Sequence, residues 1–330
     1  MAGPRFDVVG IGNALVDVIA HAGDAFLAEH ALVKGSMELI DTDRAVQLYR
    51  ALGTAVEMSG GSAANTMCGV ASLGGRAAYI GKVSDDDLGA VFGHDLNALG
   101  VSFRRGAPEA ETPTGRCIIV VTPDAQRTMN TYLGASSMLC PDHLDLDLIE
   151  ASEVTYLEGY LYDRPEAKDA YRTAAEAAHA AGRKVSLSLS DSFCVDRHRV
   201  DFLQLVAEGV DILFANEAEI TALYEVDSFD AAREKVSGHC EIACLTRGPQ
   251  GSVIVTADAA HEVPAHPVER VVDTTAAGDL YAAGFLYGYT QGMAHDRAGR
   301  LGSIAASAVI GHTGARPGMS LGHLLTALAT

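Results

Sequence analysis

The stretch Asp273-Thr274-Thr275-Ala276-Ala277-Gly278-Asp279 sets three small residues ahead of a carboxylate, at the head of a run rich in small and apolar residues over 280–288. Small residues leave backbone N–H groups bare where a helix begins. Such a terminus favours an anion, because the free donors and the helix dipole both present positive charge to it. A carboxylate in the middle of an anion site repels its ligand unless it performs chemistry. The pattern predicts that Ala276, Ala277 and Gly278 hold a transferring phosphoryl group and that Asp279 takes the proton of the hydroxyl that receives it. Phosphoryl transfer asks mainly for positioning and charge neutralisation, and its loose transition state lets a weak base suffice.

Other residues have matching chemistry. Asn216 and Glu219 stand three apart at a helix start and share one face. Their oxygens suit Mg2+ held through water, or they cap the helix. Thr246, Gly248 and Gly251 make a loop open enough for ATP phosphates or ribose. Gly60 and Gly61 let a backbone approach a ligand closely, and Asn65 one turn later places an amide where it can read a hydroxyl. The same residues also make a plain strand-to-helix turn with Ser62 as its cap. Asn13 and Asp17 follow an apolar run at 6–12, past the carboxyl end of a first strand. A carboxylate there accepts two sugar hydroxyls, or it caps a turn. Ser303 either lines an adenine slot or packs within a helix.

The bulk properties narrow the chemistry. With 330 residues, 48% hydrophobic and 20% charged, the chain can bury a large core. A net charge of −19 argues against a nucleic-acid partner, so any phosphate site is local. Six cysteines without a CxxC pair read as reduced thiols of a cytosolic protein. No apolar run nears the roughly 18 residues of a membrane span, and no cleavable apolar leader is apparent. A cytoplasmic location is the expectation.

Several nucleotide-handling designs are excluded. The nearest approach to a Walker A loop is Gly81-Lys82-Val83, with the wrong spacing. The protein-kinase motif set and zinc-ligand spacings are absent. Gly10-x-Gly12 resembles a dinucleotide fingerprint, but Leu15 stands in place of the third glycine. Glu29-His30, in an apparent helix, falls where a ribose-binding acid would end a second strand.

The elements that position these residues follow from periodicity. Strands at 154–157, 185–189, 212–215, 242–245 and 252–256 alternate with helices at 165–181, near 200–206 and after 216. Helices at 276–291 and 295–312 close the chain, with a strand at 271–272 leading into the anion turn. Alternation predicts a mostly parallel sheet covered on both faces. Strand-like pieces at 34–41, 101–105, 114–122 and 128–133 do not alternate with helices. They predict a small added antiparallel sheet, with a turn at Pro123-Asp124-Ala125-Gln126. The acids Asp85, Asp86 and Asp87 read as helix capping rather than a metal site.

The ordered set Gly60-Gly61 with Asn65, Asn216-x-x-Glu219, Thr246-x-Gly248-x-x-Gly251 and Asp273 to Asp279 resembles the ribokinase-like sugar and nucleoside kinases, the PfkB family, over about 6–325. The resemblance implies one α/β domain over 1–330: a three-layer α/β/α sandwich with a mostly parallel central sheet and a small antiparallel β lid from insertions at about 14–41 and 101–135. It implies ATP with Mg2+, an acidic sugar contact at Asp17, an anion hole at 276–278 and a catalytic base at Asp279. Asn216 and Glu219 become the Mg2+-organising pair. A K+ site beside the anion hole is implied at Asp273 and Thr275, completed by Thr313-Gly314-Ala315.

Ribokinases usually carry a lysine after the glycine pair; here it is Ser62. That segment and Arg127-Thr128-Met129-Asn130 look more like adenosine kinases, which place an arginine near the phosphoryl group. Arg127 then supplies transition-state charge, or it is an exposed hairpin arginine. Met37, Leu39 and Leu133 are candidates for a purine slot. The expected reaction is phosphorylation of adenosine to AMP in purine salvage. The alternatives are a sugar acceptor (ribose, fructose or 2-keto-3-deoxygluconate) or a non-catalytic ligand-binding relative. Expected partners are the small-molecule acceptor and ATP, with no nucleic acid or membrane, in a monomer or homodimer.

Overall fold

The computed structural model describes residues 3–105, 112–124, 126–311, 314–316 and 320–328. In chain order the strands among them are β1 (Phe6–Ile11), β2 (Leu15–His21), β3 (Met37–Leu39), β4 (Ala55–Gly60), β5 (Ala77–Ile80), β6 (Val101–Phe103), β7 (Gly115–Val121), β8 (Arg127–Tyr132), β9 (Ser152–Glu158), β10 (Lys184–Ser188), β11 (Ile212–Asn216), β12 (Ile242–Thr246), β13 (Ser252–Val255) and β14 (Ala260–Val263).

The main sheet runs β14-β13-β12-β11-β10-β9-β1-β5-β6. It is parallel from β6 to β12, and β13 and β14 are antiparallel at one edge. Alternate residues of β1 serve opposite faces. Val8 joins a core with the helices Ser62–Ser72, Ala277–Thr290 and His295–Ile310. Val9 and Ile11 join a second core with Pro165–Ala180, Ser192–Gly209 and Glu217–Tyr224. A sheet covered on both faces needs strands apolar on both sides, as these are. This is the mostly parallel sheet covered on both faces that the alternation predicts, and the α/β/α sandwich that the resemblance implies.

The last two long helices cross at small residues. A β-carbon at Gly284 would lie 2.7 Å from the Gly302 Cα, so only glycine permits the approach. That contact fixes the helix whose first turn carries Asp279.

The second sheet runs β3-β8-β7-β2-β4 and is mixed, not antiparallel as expected. β2 with β4 and β7 with β8 are antiparallel, but β2 with β7 and β3 with β8 are parallel. The parallel pairs join strands far apart in sequence, which local turn signals cannot reveal. The 101–105 segment belongs elsewhere. β6 pairs in parallel with β5 at the edge of the main sheet, after the helix Asp87–Ala98. That is a strand–helix–strand crossover, and it claims the strand for the large sheet.

The strand expected at 271–272 does not form. The N–H groups of Val272 and Asp273 both donate to the Ile310 carbonyl, docking the segment on a helix end rather than in a sheet. Of the acidic run, Asp86 caps its helix through the Gly89 N–H, as expected. Ala125 of the expected turn lies outside the described residues. All six cysteines are free, and among the described residues no helix is long and apolar enough to cross a membrane.

Candidate active site

The carboxyl ends of the parallel strands open on a cavity of about 900 Å³, where ligands of open α/β sheets bind. Its floor is the start of the Ala277–Thr290 helix. Ala276, the N-cap, has φ +61°, a left-handed conformation rarely adopted by residues with a β-carbon. Beyond it, the Gly278 and Asp279 N–H groups have no acceptor among the described residues. A β-carbon at Gly278 would meet no protein atom within 4 Å. Free donors, a helix dipole and open space together suit an anionic group.

Asp279 stands in that first turn and is held from the neighbouring helix. Its Oδ1 accepts from Ser62 Oγ at 2.6 Å, and its Oδ2 accepts from Asn65 Nδ2 at 3.0 Å. Burial pushes its carboxyl up to about 6, opposed by Ser62, Asn65 and the Arg316 guanidinium. Ser62 is therefore not the helix cap. Gly61 holds that place, without a side-chain bond, and Ser62 is turned to the carboxylate. The Asn65 amide nitrogen is taken by Asp279, and its buried Oδ1 has no partner among the described residues.

Asp17 lies on β2, across the cavity. Burial pushes it up to about 6, eased by Arg316 and Arg127 and reinforced by Asp279. The glycine pair makes room for this arrangement. A β-carbon at Gly60 would lie 2.4 Å from Asp17 Oδ1. At Gly61, whose φ is +95°, it would lie 2.3 Å from the Asn13 carbonyl oxygen.

Asn13 reaches the cavity wall but spends its side chain on protein. Its N–H and Nδ2 donate to Glu158 Oε1 at 3.2 and 2.8 Å, and its Oδ1 accepts from Ser136. Glu158 also accepts from the Ala63 N–H at 2.8 Å, and burial pushes it up to about 7. Sequence reasoning missed Glu158. The available signal was an acid ending the apolar strand Tyr156-Leu157-Glu158.

On the opposite side Asn216 and Glu219 form a complete capping box. The Asn216 N–H donates to Glu219 Oε2 at 2.8 Å, Asn216 Nδ2 to Oε1 at 2.5 Å, and the Glu219 N–H to Asn216 Oδ1 at 2.9 Å. Both line the cavity, and burial pushes Glu219 up to about 7. Each side-chain oxygen already accepts one bond, and among the described residues no cluster of three or more His, Cys, Asp or Glu could cage a metal. The pair fits Mg2+ held through water and ligand phosphates rather than by direct ligation alone.

Thr246 and Gly248 line this side too. Gly251 does not; it turns the chain into β13, where a β-carbon would lie 2.1 Å from the Val263 carbonyl. Ser303 also stands off the wall. Its hydroxyl accepts from the His266 N–H at 2.8 Å and donates to the Pro264 carbonyl at 3.2 Å, pinning the segment after β14 to the last long helix.

Arg127, on β8, reaches the cavity, but its guanidinium is paired with Asp273 at 2.6 Å. Asp273 also accepts from the N–H groups of Thr275 and Gly314 at 2.9 and 3.1 Å, and these contacts with Arg127 hold it below the usual carboxylate range against burial. The main-chain carbonyls of Asp273 and Thr275 accept no bond among the described residues. They are the atoms a K+ ion would use; Thr313 lies outside the described residues.

The rest of the wall is mixed: Asp163, Asp191 and Arg197 line it together with apolar side chains. Leu15, Ile119, Met129 and Leu133 lie inside, and Met37, Leu39 and Phe193 are 47%, 57% and 74% exposed around it.

A helix start with free N–H groups beside a held carboxylate fits what the comparisons show, a phosphotransferase acting on an alcohol group on a ribokinase-like sandwich. The chain belongs to the pfkB family of carbohydrate kinases, matched over residues 29–320. It is 52% identical to the adenosine kinase from Sinorhizobium meliloti, with a TM-score of 0.89 over 98% of this chain and 99% of that one. It is 47% identical to a probable sugar kinase from Rhizobium etli CFN 42, with a TM-score of 0.91 over 99% of each. The adenosine kinase of Saccharomyces cerevisiae is 27% identical over 86% of this chain and 89% of its own length.

Proposed function

We propose that the protein is an ATP-dependent nucleoside kinase that phosphorylates the 5′-hydroxyl of adenosine, giving AMP. The observation that carries this reading is the set of large apolar side chains left uncovered at the acceptor side. Met37, Leu39 and Phe193 line the same cavity as Asp17 and Asp279. Uncovered apolar side chains in one cavity with carboxylates suit a sugar that carries a flat base. The absence of a lysine after the glycine pair, where Ser62 stands, and the likeness to the Sinorhizobium meliloti adenosine kinase support it.

In this reading Asp17 takes ribose hydroxyls, and Asn65 borders the same space. The 5′-oxygen attacks the γ-phosphorus, the bond to the β,γ-bridging oxygen breaks and ADP leaves. Asp279 takes the hydroxyl proton, and the Gly278 and Asp279 N–H groups take the charge on the phosphoryl oxygens. Thr246 and Gly248 border the nucleotide. Kinases of this family use ATP with a divalent metal, generally Mg2+; Asn216 and Glu219 would hold it through water, where it would neutralise phosphate charge. K+ at the Asp273 and Thr275 carbonyls would add positive charge beside the anion turn. The second sheet acts as a lid that excludes water from the reaction.

A sugar acceptor is the second reading, favoured by the likeness to the Rhizobium etli probable sugar kinase. The test of the mechanism common to both is Asp279→Asn. It is expected to bind ATP and adenosine near wild-type affinity and to lose turnover by about 10²–10⁴-fold. Near-wild-type turnover would overturn the role of Asp279.

A further inference from the structure

Arg316 belongs to none of the motifs read from the sequence. Its Nη1 donates to the Ala64 carbonyl at 2.8 Å, and its Nη2 donates to the Ser59 carbonyl and hydroxyl at 2.8 and 3.0 Å. Ser59 is fixed in turn, because its N–H and hydroxyl donate to Asp95 Oδ2 at 2.8 and 2.5 Å. Two residues before Arg316, the Gly314 N–H donates to Asp273. The short segment 314–316 therefore bridges two parts of the site. One is the turn that leads into the Asp279 helix. The other is the junction of β4 with the Ser62–Ser72 helix.

That junction holds the base. Ala64 lies between Ser62 and Asn65, the two donors to Asp279, and Ser59 precedes the glycine pair that passes Asp17 and Asn13. A planar guanidinium that grips carbonyls of residues 59 and 64 fixes the end of the strand and the first turn of the helix as one unit. A lysine, with a single ammonium on a flexible stem, cannot match that fork.

The guanidinium also carries charge where charge is needed. The titratable groups that face Asp279 are Asp17 on β2, Tyr156 and Glu158 on β9, and Tyr160 just after it. The carboxylates among them disfavour a second negative charge, as does burial. Arg316 eases both Asp17 and Asp279 toward their ionised forms. Arg127, the other cation near Asp17, is already matched by Asp273.

We propose that Arg316 is a positioning residue for phosphoryl transfer: its guanidinium locks the Ser59–Asn65 junction, whose Ser62 and Asn65 hold Asp279, and places a positive charge near that site. This rests on the reading of Asp279 as the base.

The experiment compares wild type with Arg316→Met and Arg316→Lys, after thermal unfolding has shown that each variant is folded. Carboxyl-13C NMR follows the Asp279 resonance, assigned by its loss in Asp279→Asn, and steady-state kinetics with adenosine and ATP-Mg2+ follow the pH profile. In Arg316→Met both the Asp279 titration and the acid limb of kcat move up by about one pH unit, as removal of a nearby cation requires. In Arg316→Lys the titration stays close to wild type while KM for the acceptor rises, because charge is kept and the fork is lost. An unmoved titration in folded Arg316→Met overturns the proposal, whatever the activity. A moved titration in a protein that phosphorylates no acceptor would instead support the electrostatic role and defeat the kinase reading.

Discussion

Arg127 Nη1 lies 2.6 Å from Asp273 Oδ2, with the two side chains 10% and 8% exposed. One buried ion pair thus ties the second sheet to the segment that leads into the anion turn. Removing one partner of such a pair strands the other charge, which costs more than the pair itself contributes. Arg127→Met is expected to lower the unfolding free energy by about 3–5 kcal/mol. The double variant Arg127→Met with Asp273→Asn should recover part of that loss. Urea unfolding of the four proteins measures the coupling, and strictly additive single losses would show that the pair is not energetically linked.

Gly278 offers a way to separate fold from function. A β-carbon there meets no protein atom, and alanine favours a helix over glycine by about 1 kcal/mol. Gly278→Ala should leave Tm unchanged or slightly higher. Its methyl group would occupy the space above the free N–H groups, so kcat/KM should fall by at least about tenfold, the equivalent of ~1.4 kcal/mol. Equal kcat/KM in the variant would place the phosphoryl group elsewhere.

The donors to Asp279 give a graded test. Ser62→Ala removes the 2.6 Å bond to Oδ1. Hydrogen bonds to charged groups contribute about 1.5–3 kcal/mol. Loss of this one leaves the carboxylate less stabilised and less oriented. The acid limb of kcat should move up and kcat should fall by about tenfold or more, with ATP affinity nearly unchanged. A loss confined to the KM of ATP would contradict this assignment.

Four carboxyls of the cavity are pushed up by burial, Asp17 and Asp279 to about 6 and Glu158 and Glu219 to about 7. In the unfolded chain they titrate near 3.8 for aspartate and 4.5 for glutamate. Between those values and about 7 the folded state holds more protons than the unfolded one. Linkage then makes stability fall as pH rises through that window. Ligand-free protein should need less urea to unfold at pH 8 than at pH 5. The kinetic trend is opposite, because Asp279 must be ionised to act as base. Activity should fall below about pH 6, with an acid limb set by Asp279. Stability rising steadily from pH 5 to pH 8 would show that burial does not govern these groups.

The parts of the fold and site that rest on local pattern were legible in the sequence. The run from Ala276 to Asp279 and the Asn216–Glu219 box each sit within one helical turn, so spacing alone locates them. The strand–helix alternation after 152 likewise reports crossovers that are local in sequence. What escaped acts across the chain. Glu158 meets Ala63 across 95 residues, and Arg316 meets Ser59 across 257. β7 pairs in parallel with β2, and no turn signal joins them. Ser303 and Gly251 have structural partners that a local motif does not show: Ser303 bonds the segment after β14, and Gly251 makes the tight turn into β13.

The acceptor remains the central claim, and relative kcat/KM tests it most directly. Adenosine, inosine, guanosine, ribose, fructose and 2-keto-3-deoxygluconate would be compared as acceptors with ATP-Mg2+ under one condition. The uncovered Met37, Leu39 and Phe193 predict that adenosine leads the series, and that Phe193→Ala raises its KM while leaving ribose little changed. Ribose or the sugar acid exceeding every nucleoside would contradict the assignment.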